Sequence, residues 1–331
     1  MARLSQKYLL GGANGATAAN NQASVTLHST LRSLGKLAES AKELPDALIV
    51  ADLDRPSVRL VKRLKRHGVP AVLVRNEPHV VAPWNYSRRN ISYFDCVVDF
   101  GRDTRQTLIS LPWPQVWPES WRRYAARKDR SARAVVMNAN KLSLFAGEFY
   151  SLRRSVIDSG SVDFFGPNWE SGFAQRLRVL LGETLIWFRN PGTMSPSSIV
   201  GWFRKHNGHL GLAENKLETL SGYQVAFVAE NSREYMSEKL LDALFAGCIP
   251  VYVGPPVANF GIPEDLVVEV EPTLEDVKAG INKALSVDRD VWFSRLETYL
   301  SANETKDFWS AEYVLKKLVE NLDSWLEERR T

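Results

Sequence analysis

The sequence predicts an α/β protein built from two Rossmann-like domains that face a cleft, and three observations support this fold class. Short apolar segments alternate with helical patterns in the N-terminal part, as at 46–51, 69–74 and 94–99. The same alternation resumes after residue 131. Between the two parts, residues 111–120 contain three prolines and two tryptophans, which is too proline-rich for a helix or a central strand. Buried strands separated by helices are typical of parallel sheets, so each part is expected to hold one.

The N-terminal part is predicted to contain helices between its strands. Residues 55–67 place Val58, Val61 and Leu64 on one stripe at helical spacing. A second helix is expected over 29–43. The helix at 55–67 therefore lies between the strands at 46–51 and 69–74, as a βαβ arrangement requires.

The C-terminal part is predicted to repeat this pattern. Strands are expected at 132–138, 162–166 and 266–270, with two more inside 223–256. Helices are expected at 147–160, 170–181, 212–220 and 274–286, whereas 184–189 (TLIWFR) is interpreted as extended. The tail, 290–327, carries a weak helical stripe. We expect domains over 1–125 and 126–290, and C-terminal helices over 291–331 that pack back toward the first domain.

The composition favours a soluble chain. The 331 residues are 44% hydrophobic, and the mean hydropathy is −0.23. No apolar run approaches the roughly 18 residues of a membrane-spanning helix, and no secretory signal is evident. Cys96 and Cys248 both lie in apolar runs and are expected to be buried, reduced thiols. His206 and His209 are spaced for a turn and lack partners nearby in the sequence, so we expect no metal site there.

The charge permits anionic ligands without requiring nucleic acid. The net charge is +4 and the pI is about 9.0. Basic residues cluster in 121–133 (WRRYAARKDRSAR), which is either a solvated linker face or a surface for an anionic glycan or a membrane. Because no nucleic-acid-binding motif is present, no nucleic-acid partner is expected.

The most informative stretch is 223–256, which reads as strand, polar loop, helix, tight turn and strand. An α/β fold binds a phosphate-bearing ligand at such a place, outside the carboxyl end of a strand and at the start of a helix. Glu230 and Asn231 follow the strand, and Glu238 and Lys239 fall in the predicted first helical turn. A lysine there opposes the helix dipole unless an anion is bound, and a diphosphate would supply one. The alternative is an ordinary solvated Glu and Lys at a helix start.

The stretch resembles the donor-binding motif of the α-1,3/1,4-fucosyltransferases. That motif reads as an apolar strand ending in F-E-N-S/T, a short loop, Y-V/I-T-E-K-L and A-L-x-A-G-x-x-P-V-x-x-G. This chain has V-A-E-N-S, Y-M-S-E-K-L and A-L-F-A-G-C-I-P-V-Y-V-G, and about 20 positions agree in order and spacing. Two departures, Val228–Ala229 and Ser237, are conservative.

The resemblance implies a GT-B architecture and an inverting transfer of L-fucose from GDP-fucose to a glycan hydroxyl, forming an α-1,3 or α-1,4 linkage. It implies that Asn231, Tyr235, Glu238 and Lys239 bind GDP-fucose, with Glu230 beside them. Chemically, Glu238 can accept hydrogen bonds from sugar hydroxyls, and Asn231 offers an amide to a ribose or sugar hydroxyl. Two rival interpretations stay open: a GT-B transferase with another nucleotide sugar, or a non-catalytic glycan- or polyanion-binding protein.

Inverting transfer requires a carboxylate that deprotonates the acceptor hydroxyl, and Glu77 is the candidate. It follows the buried strand at 69–74, and Pro78 biases it toward an extended conformation. The fucosyltransferases carry their base after a similar strand, in an Asn/Phe-Glu-Ser-Pro element, although here the Ser is missing. A surface glutamate at a strand end is the alternative.

Departure of the nucleoside diphosphate requires neutralisation of its charge. The letters Asp52-Leu53-Asp54 fit a metal motif but precede a helix, where Asp is a normal N-cap. The family places an arginine after the first donor-domain strand, where this chain has Ala146. Asn138 and Lys141, after that strand, are therefore the candidates on the phosphate side, and the paired arginines that follow, Arg153 and Arg154, are the alternatives.

The remaining expectations concern domain roles and location. By resemblance, the first domain binds the acceptor and the second binds the donor. We expect no required cofactor, with Mn²⁺ or Mg²⁺ at most stimulating, and GDP-fucose and a glycan acceptor as partners. The absence of a signal anchor resembles bacterial members that decorate lipopolysaccharide or other surface glycans, in the cytoplasm or peripherally on the cytoplasmic side of a membrane, with membrane contact through the basic segment.

Overall fold

The computed structural model describes residues 6–11, 26–38, 44–101 and 109–331, and its chain divides into two compact units. Unit 1 combines Met1–Trp117 with Asn303–Thr331, and unit 2 is Pro118–Ala302. The first division lies inside the Pro/Trp-rich segment, ahead of residue 125. The second lies after residue 302, so the last helices belong to unit 1.

Unit 1 contains a five-stranded, entirely parallel sheet with the strands in sequential order. Its strands are β1 (Tyr8–Gly11), β2 (Ala47–Ala51), β3 (Ala71–Arg75), β4 (Cys96–Phe100) and β5 (Ile109–Leu111). Every residue of β2, β3 and β4 is buried, which explains why these strands read as continuous apolar runs. The edge strands β1 and β5 are short and were not predicted.

The helices of unit 1 that follow its strands are α1 (Leu27–Ser33), α2 (Arg55–Lys65) and α3 (Arg88–Ile91), with a 3-10 turn at Pro83–Tyr86. Asp54 is the N-cap of α2, and its carboxylate accepts a hydrogen bond from Ser57 N at 2.7 Å. The N-cap interpretation of Asp54 is therefore confirmed. The helix predicted over 29–43 is wrong in extent: it ends at Ser33, and residues 39–43 lie outside the described residues.

Unit 2 contains a second five-stranded parallel sheet, ordered β10-β9-β8-β6-β7. Its strands are β6 (Ser131–Met137), β7 (Val162–Phe165), β8 (Tyr223–Ala229), β9 (Ile249–Val253) and β10 (Val268–Glu269). The chain runs outward from β6 to β7, then crosses to β8 on the other side of β6. The strand order therefore reverses between β6 and β8, where open α/β sheets bind their ligands.

The helices of unit 2 surround this sheet. They are α4 (Trp121–Ala125), α5 (Tyr150–Asp158), α6 (Phe173–Arg189), α7 (Pro196–Trp202), α8 (Lys216–Ser221), α9 (Lys239–Phe245), α10 (Leu274–Leu285) and α11 (Arg289–Ser301). Short 3-10 turns lie at Val257–Phe260 and Glu264–Leu266. Gly247 follows α9 with φ of +69°, and a Cβ there would lie 2.5 Å from Ala125 Cα, so only glycine fits.

The extended segment predicted at 184–189 is wrong, because α6 continues through it to Arg189. The β-branched and aromatic residues of TLIWFR favoured a strand. In the structure, Trp187 and Leu180 pack one helical face against a small core formed by Leu142, Leu144 and Trp202. Tertiary packing on that face therefore outweighs the local strand preference.

The C-terminal tail forms two further helices of unit 1, α12 (Asn303–Trp309) and α13 (Ala311–Glu328). Asp323 on α13 accepts hydrogen bonds from Tyr8 Oη and Lys36 Nζ, both at 2.6 Å. These contacts attach the tail to β1 and to the turn after α1.

Cys96 and Cys248 are buried free thiols, as predicted. Burial raises the pKa of each to about 12. Within the described parts of the chain, no helix is both long and apolar enough to cross a bilayer.

Candidate functional site

The polar side chains of unit 2 gather at the carboxyl ends of β6 and β8, where the strand order reverses. Asn138 directly follows β6, and Glu230 and Asn231 directly follow β8. Neighbouring parallel strands end at the same edge of a sheet, so these loops are adjacent. The predicted donor loop therefore lies where this fold places ligands.

Glu230 is the buried anchor of the loop after β8. Its carboxylate accepts hydrogen bonds from Ser237 N at 3.0 Å, Ser237 Oγ at 2.7 Å and Lys239 Nζ at 3.0 Å. Glu230 has 0% exposure, and the Lys239 side chain has 15%. The anion that compensates Lys239 at the start of α9 is thus supplied by the protein itself.

Lys239 is held on two sides and still reaches the surface. Its ammonium also donates to Ser237 Oγ at 2.6 Å. An ammonium has three protons, and these two contacts use two of them. The third is available to an anionic ligand at the partly exposed end of the side chain.

Asn231 is fixed by a buried arginine that the sequence did not assign to it. Arg153, 2% exposed, donates to Asn231 Oδ1 at 3.1 Å and to the carbonyls of Ala229 and Glu230 at 2.5 and 2.7 Å. Burial lowers the pKa of Arg153, and nearby tyrosine and glutamate residues oppose that change. Because Oδ1 is engaged, the amide Nδ2 of Asn231 is the group oriented to donate to a ligand.

Glu238 lies beside two cations. Lys216 on α8 forms an ion pair with Asp242 and approaches Glu238 Oε1 at 3.9 Å. Burial alone would raise the pKa of Glu238, but Lys239 and Lys216 outweigh it and lower the pKa below its ordinary value. Glu238 is therefore ionised at neutral pH and can accept hydrogen bonds.

Tyr235 and Met236, between Asn231 and Glu238, are buried and pack the loop onto the core. Met236, Leu240 and Leu244, spaced four residues apart, are each 0% exposed. The helix itself begins later than predicted, at Lys239.

On the β6 side, Arg153 and Arg154, the alternative phosphate-side candidates, are buried and hold the structure together, whereas Lys141 is exposed. Arg154 is 2% exposed and donates to Lys141 O at 2.7 Å and Ser198 Oγ at 3.0 Å. Glu148 caps α5 by accepting from Ser151 N at 2.9 Å. Asn138 is half-buried, and its carbonyl accepts from Trp169 Nε1 at 2.7 Å.

Glu77 belongs to unit 1, where it follows β3 at the carboxyl edge of that sheet. Its side chain is half-buried, and its carbonyl accepts a hydrogen bond from Tyr86 Oη at 3.0 Å. The preceding Arg75 forms a buried ion pair with Asp99 on β4 and stacks on Tyr86, 4.5 Å from the ring centroid. Packing on both sides thus fixes the backbone that carries Glu77.

No metal centre is evident in the part of the chain that the structure describes, where no group of three or more His, Cys, Asp or Glu side chains could hold an ion. His206 is buried, with Nδ1 2.6 Å from Asp158, and His209 Nε2 lies 2.8 Å from the Gly166 carbonyl. Both histidines therefore hold loops together. Asp52 accepts from Asn76 N at 3.0 Å.

The basic run at 121–133 is largely engaged within unit 2. Arg122, Arg127 and Arg133 pair with acidic side chains on other elements. Arg130 donates to backbone carbonyls on three sides, including Tyr223 O and Ala246 O. The run therefore has a mainly structural role, because these contacts connect it to other elements of unit 2.

The structure brings together Glu230, Asn231, Glu238 and Lys239 in one hydrogen-bonded and charged cluster, and Tyr235 is buried in the same loop. Sequence reasoning missed the roles of Arg153, Lys216 and Asp242. Asp242 carried a usable signal, since it is the only acidic residue of α9.

Comparisons with known proteins place this geometry in a common fold. No family model and no curated protein matches the chain. Among solved structures, an α1,3-fucosyltransferase gives a TM-score of 0.56 at 13% identity, covering 99% of this chain and 92% of that one. A UDP-forming α,α-trehalose-phosphate synthase from Burkholderia xenovorans gives 0.54 at 13% identity, covering 92% and 79%. An Anabaena protein, Alr3699/HepE, solved with UDP and glucose, gives 0.54 at 9% identity, covering 96% and 100%.

At these identities the similarity shows the fold. The two parallel-sheet α/β units are those of GT-B glycosyltransferases, which confirms the predicted fold class. The comparisons do not distinguish between donors, because the neighbours include enzymes named for different nucleotide sugars.

Proposed function

We propose that the protein is a GT-B glycosyltransferase that uses GDP-L-fucose to fucosylate a glycan hydroxyl. The observation that carries the proposal is the cluster after β8, in which buried Glu230 holds Lys239 at the start of α9 while Arg153 holds Asn231. Three groups of this cluster can bind a sugar diphosphate: the Lys239 ammonium, with one proton not used by Glu230 or Ser237, the oriented amide of Asn231 and the ionised carboxylate of Glu238.

GDP-fucose is the proposed donor because of one residue pattern, and the fold is compatible with it. The residue pattern from Glu230 to Gly254 matches the fucosyltransferase donor motif. The fold matches α1,3-fucosyltransferase structures that were solved with GDP-fucose and with GDP. Lys239 would bind the diphosphate, Glu238 the fucose hydroxyls and Asn231 a ribose or sugar hydroxyl, with Tyr235 supporting the loop.

The proposed mechanism is direct displacement with inversion. Glu77 would remove the proton of the acceptor hydroxyl as that oxygen attacks the anomeric carbon, and GDP would leave carrying the pair of electrons. Unit 1 would then bind the acceptor and unit 2 the donor. Charge on the leaving group would be neutralised by Lys239 and Lys141 instead of by a metal ion.

A bacterial surface-glycan role, such as lipopolysaccharide decoration with an α-1,3 or α-1,4 fucose, is the context proposed for this activity. The reaction would take place on the cytoplasmic side of a membrane. The acceptor itself is left to experiment.

Calorimetric binding of GDP, GDP-fucose, GDP-mannose and UDP-galactose, with EDTA present, tests the proposal. Selective binding of GDP and GDP-fucose is expected. Preference for a uridine nucleotide would favour the second candidate, a GT-B transferase with another donor, which the UDP-containing HepE structure makes worth including. If no nucleotide binds, the transferase proposal fails.

A further inference from the structure

Helix α6 of unit 2 exposes a continuous row of large apolar side chains. The row, here called the α6 stripe, consists of Phe173, Leu177, Leu181, Leu185 and Phe188. Both terminal phenylalanines are about 70% exposed, at 70% and 69%, and every member is exposed in the full chain. Exposed leucines are common singly, but five in register along one helix are not.

The α6 stripe is separate from the face that α6 packs on the core. At about 100° per residue, its members cover an arc of about 120° and a length of about 22 Å. The neighbouring face carries Leu180 and Trp187, which pack against α7 and the small core around Trp202. The Phe173 ring contacts Phe203, with the centroids 5.5 Å apart, but the exposed stripe as a whole contributes little to folding, and its exposure costs solubility without a binding partner.

Two arginines border the stripe. By helical geometry, Arg178 and Arg189 lie along one edge of it, and both are exposed. Glu183, the one acid on α6, lies on the far side of the helix beside the packed face. Burial there raises the pKa of Glu183 to about 7. The exposed margin of the stripe is consequently cationic.

This charge pattern disfavours a second copy of the chain as the occupant. In an antiparallel two-fold pairing, equivalent edges meet, so Arg178 and Arg189 of both copies would line the same seam. In a parallel pairing, the arginine edge would meet the edge that already packs against α7. An apolar face with an arginine border instead complements a lipid surface that is apolar below and anionic above.

We propose that the α6 stripe inserts into the headgroup region of an anionic phospholipid bilayer and holds unit 2 on the membrane surface. The phenylalanines and leucines would enter the acyl boundary, and Arg178 and Arg189 would contact lipid phosphates. This inference is independent of the proposed transferase activity, because it concerns a different surface of unit 2 and needs no nucleotide.

Vesicle co-sedimentation of the purified full chain tests it, using phosphatidylcholine vesicles with and without phosphatidylglycerol. The wild type is expected to bind the anionic vesicles. Leu181→Ser/Leu185→Ser is expected to weaken binding about a hundredfold, because each leucine contributes about tenfold through burial. Arg178→Ala and Arg189→Ala are each expected to weaken it about fivefold and only on anionic vesicles.

Val291→Ser is the matched control, since Val291 is 52% exposed on a different helix, α11, and Leu181 is 58% exposed. This variant is expected to bind like the wild type, and urea unfolding of every variant verifies that the fold is kept. The proposal is overturned if wild type binds neither vesicle, or if it binds both equally. It is also overturned if light scattering shows a dimer that Leu181→Ser/Leu185→Ser dissociates, which would assign the stripe to a second copy.

Discussion

Replacing Lys239 by methionine should affect stability and nucleotide binding for different reasons. In the native chain, Nζ lies 3.0 Å from the fully buried Glu230 carboxylate. Removing one partner of a buried pair costs about 3–5 kcal/mol, because the remaining charge is uncompensated. Ser237 keeps donating two hydrogen bonds to that carboxylate and Lys239 is partly exposed, so we expect about 2–3 kcal/mol of lost unfolding free energy.

The double variant Glu230→Gln/Lys239→Met separates the two effects. It removes both charges, so about 1–2 kcal/mol of the lost stability should return. Affinity for GDP should not return, since a hydrogen bond to a charged group is worth about 1.5–3 kcal/mol, or about 10- to 100-fold in Kd. Urea unfolding followed by circular dichroism measures the first quantity, and calorimetry with GDP measures the second.

Two results would contradict this reasoning. If Lys239→Met is as stable as the wild type, the buried-charge argument for Glu230 is wrong. If the double variant recovers GDP affinity together with stability, Lys239 supports the loop and does not bind phosphate.

Three further variants, two of them with a matched control variant, test other parts of the structure. Glu77→Gln should lower kcat at least about 100-fold while GDP binding stays unchanged, and a loss of both would make Glu77 structural. Gly247→Ala should cost about 3–5 kcal/mol of unfolding free energy, because its Cβ would collide with the backbone of α4. Gly160→Ala, at a similar φ of +72° with open space, should cost only about 1–2 kcal/mol. Lys141→Ala should weaken GDP binding about fivefold or more relative to Lys283→Ala, an exposed lysine on α10, and equal affinities would exclude Lys141 from the phosphate side.

Much of the fold could be predicted because its signals are local. The buried strands β2, β3 and β4 read as apolar runs, and α2 combines an N-cap at Asp54 with a regular stripe. The errors fell where local preference and tertiary packing disagree. The segment 184–189 has strand-forming residues, yet Trp187 packs on α7 as part of a helix.

In the candidate site, too, local sequence patterns predicted some features, and contacts between distant residues were missed. Glu230, Asn231 and Lys239 were found because they are close together in a recognisable pattern. Two partners of the site were not found, since Arg153, which donates to Asn231, and Lys216, which approaches Glu238, come from distant parts of the chain. Such contacts depend on which strands become neighbours in the sheet, and local sequence patterns do not predict the strand order.

The balance of charges around the loop after β8 bears on how a bound diphosphate would be neutralised. Three cations, Lys216, Lys239 and Arg153, interact with four carboxylates, Glu230, Glu238, Asp242 and Glu148. A diphosphate brought to this cluster would add negative charge without net compensation. The backbone N–H of Ser237 is already engaged by Glu230, and that of Ser151 by Glu148, so neither is available to the phosphates. Among the residues proposed for the site, the exposed Lys141, on the neighbouring loop after β6, would add positive charge to that of Lys239, and the Lys141→Ala variant tests this role.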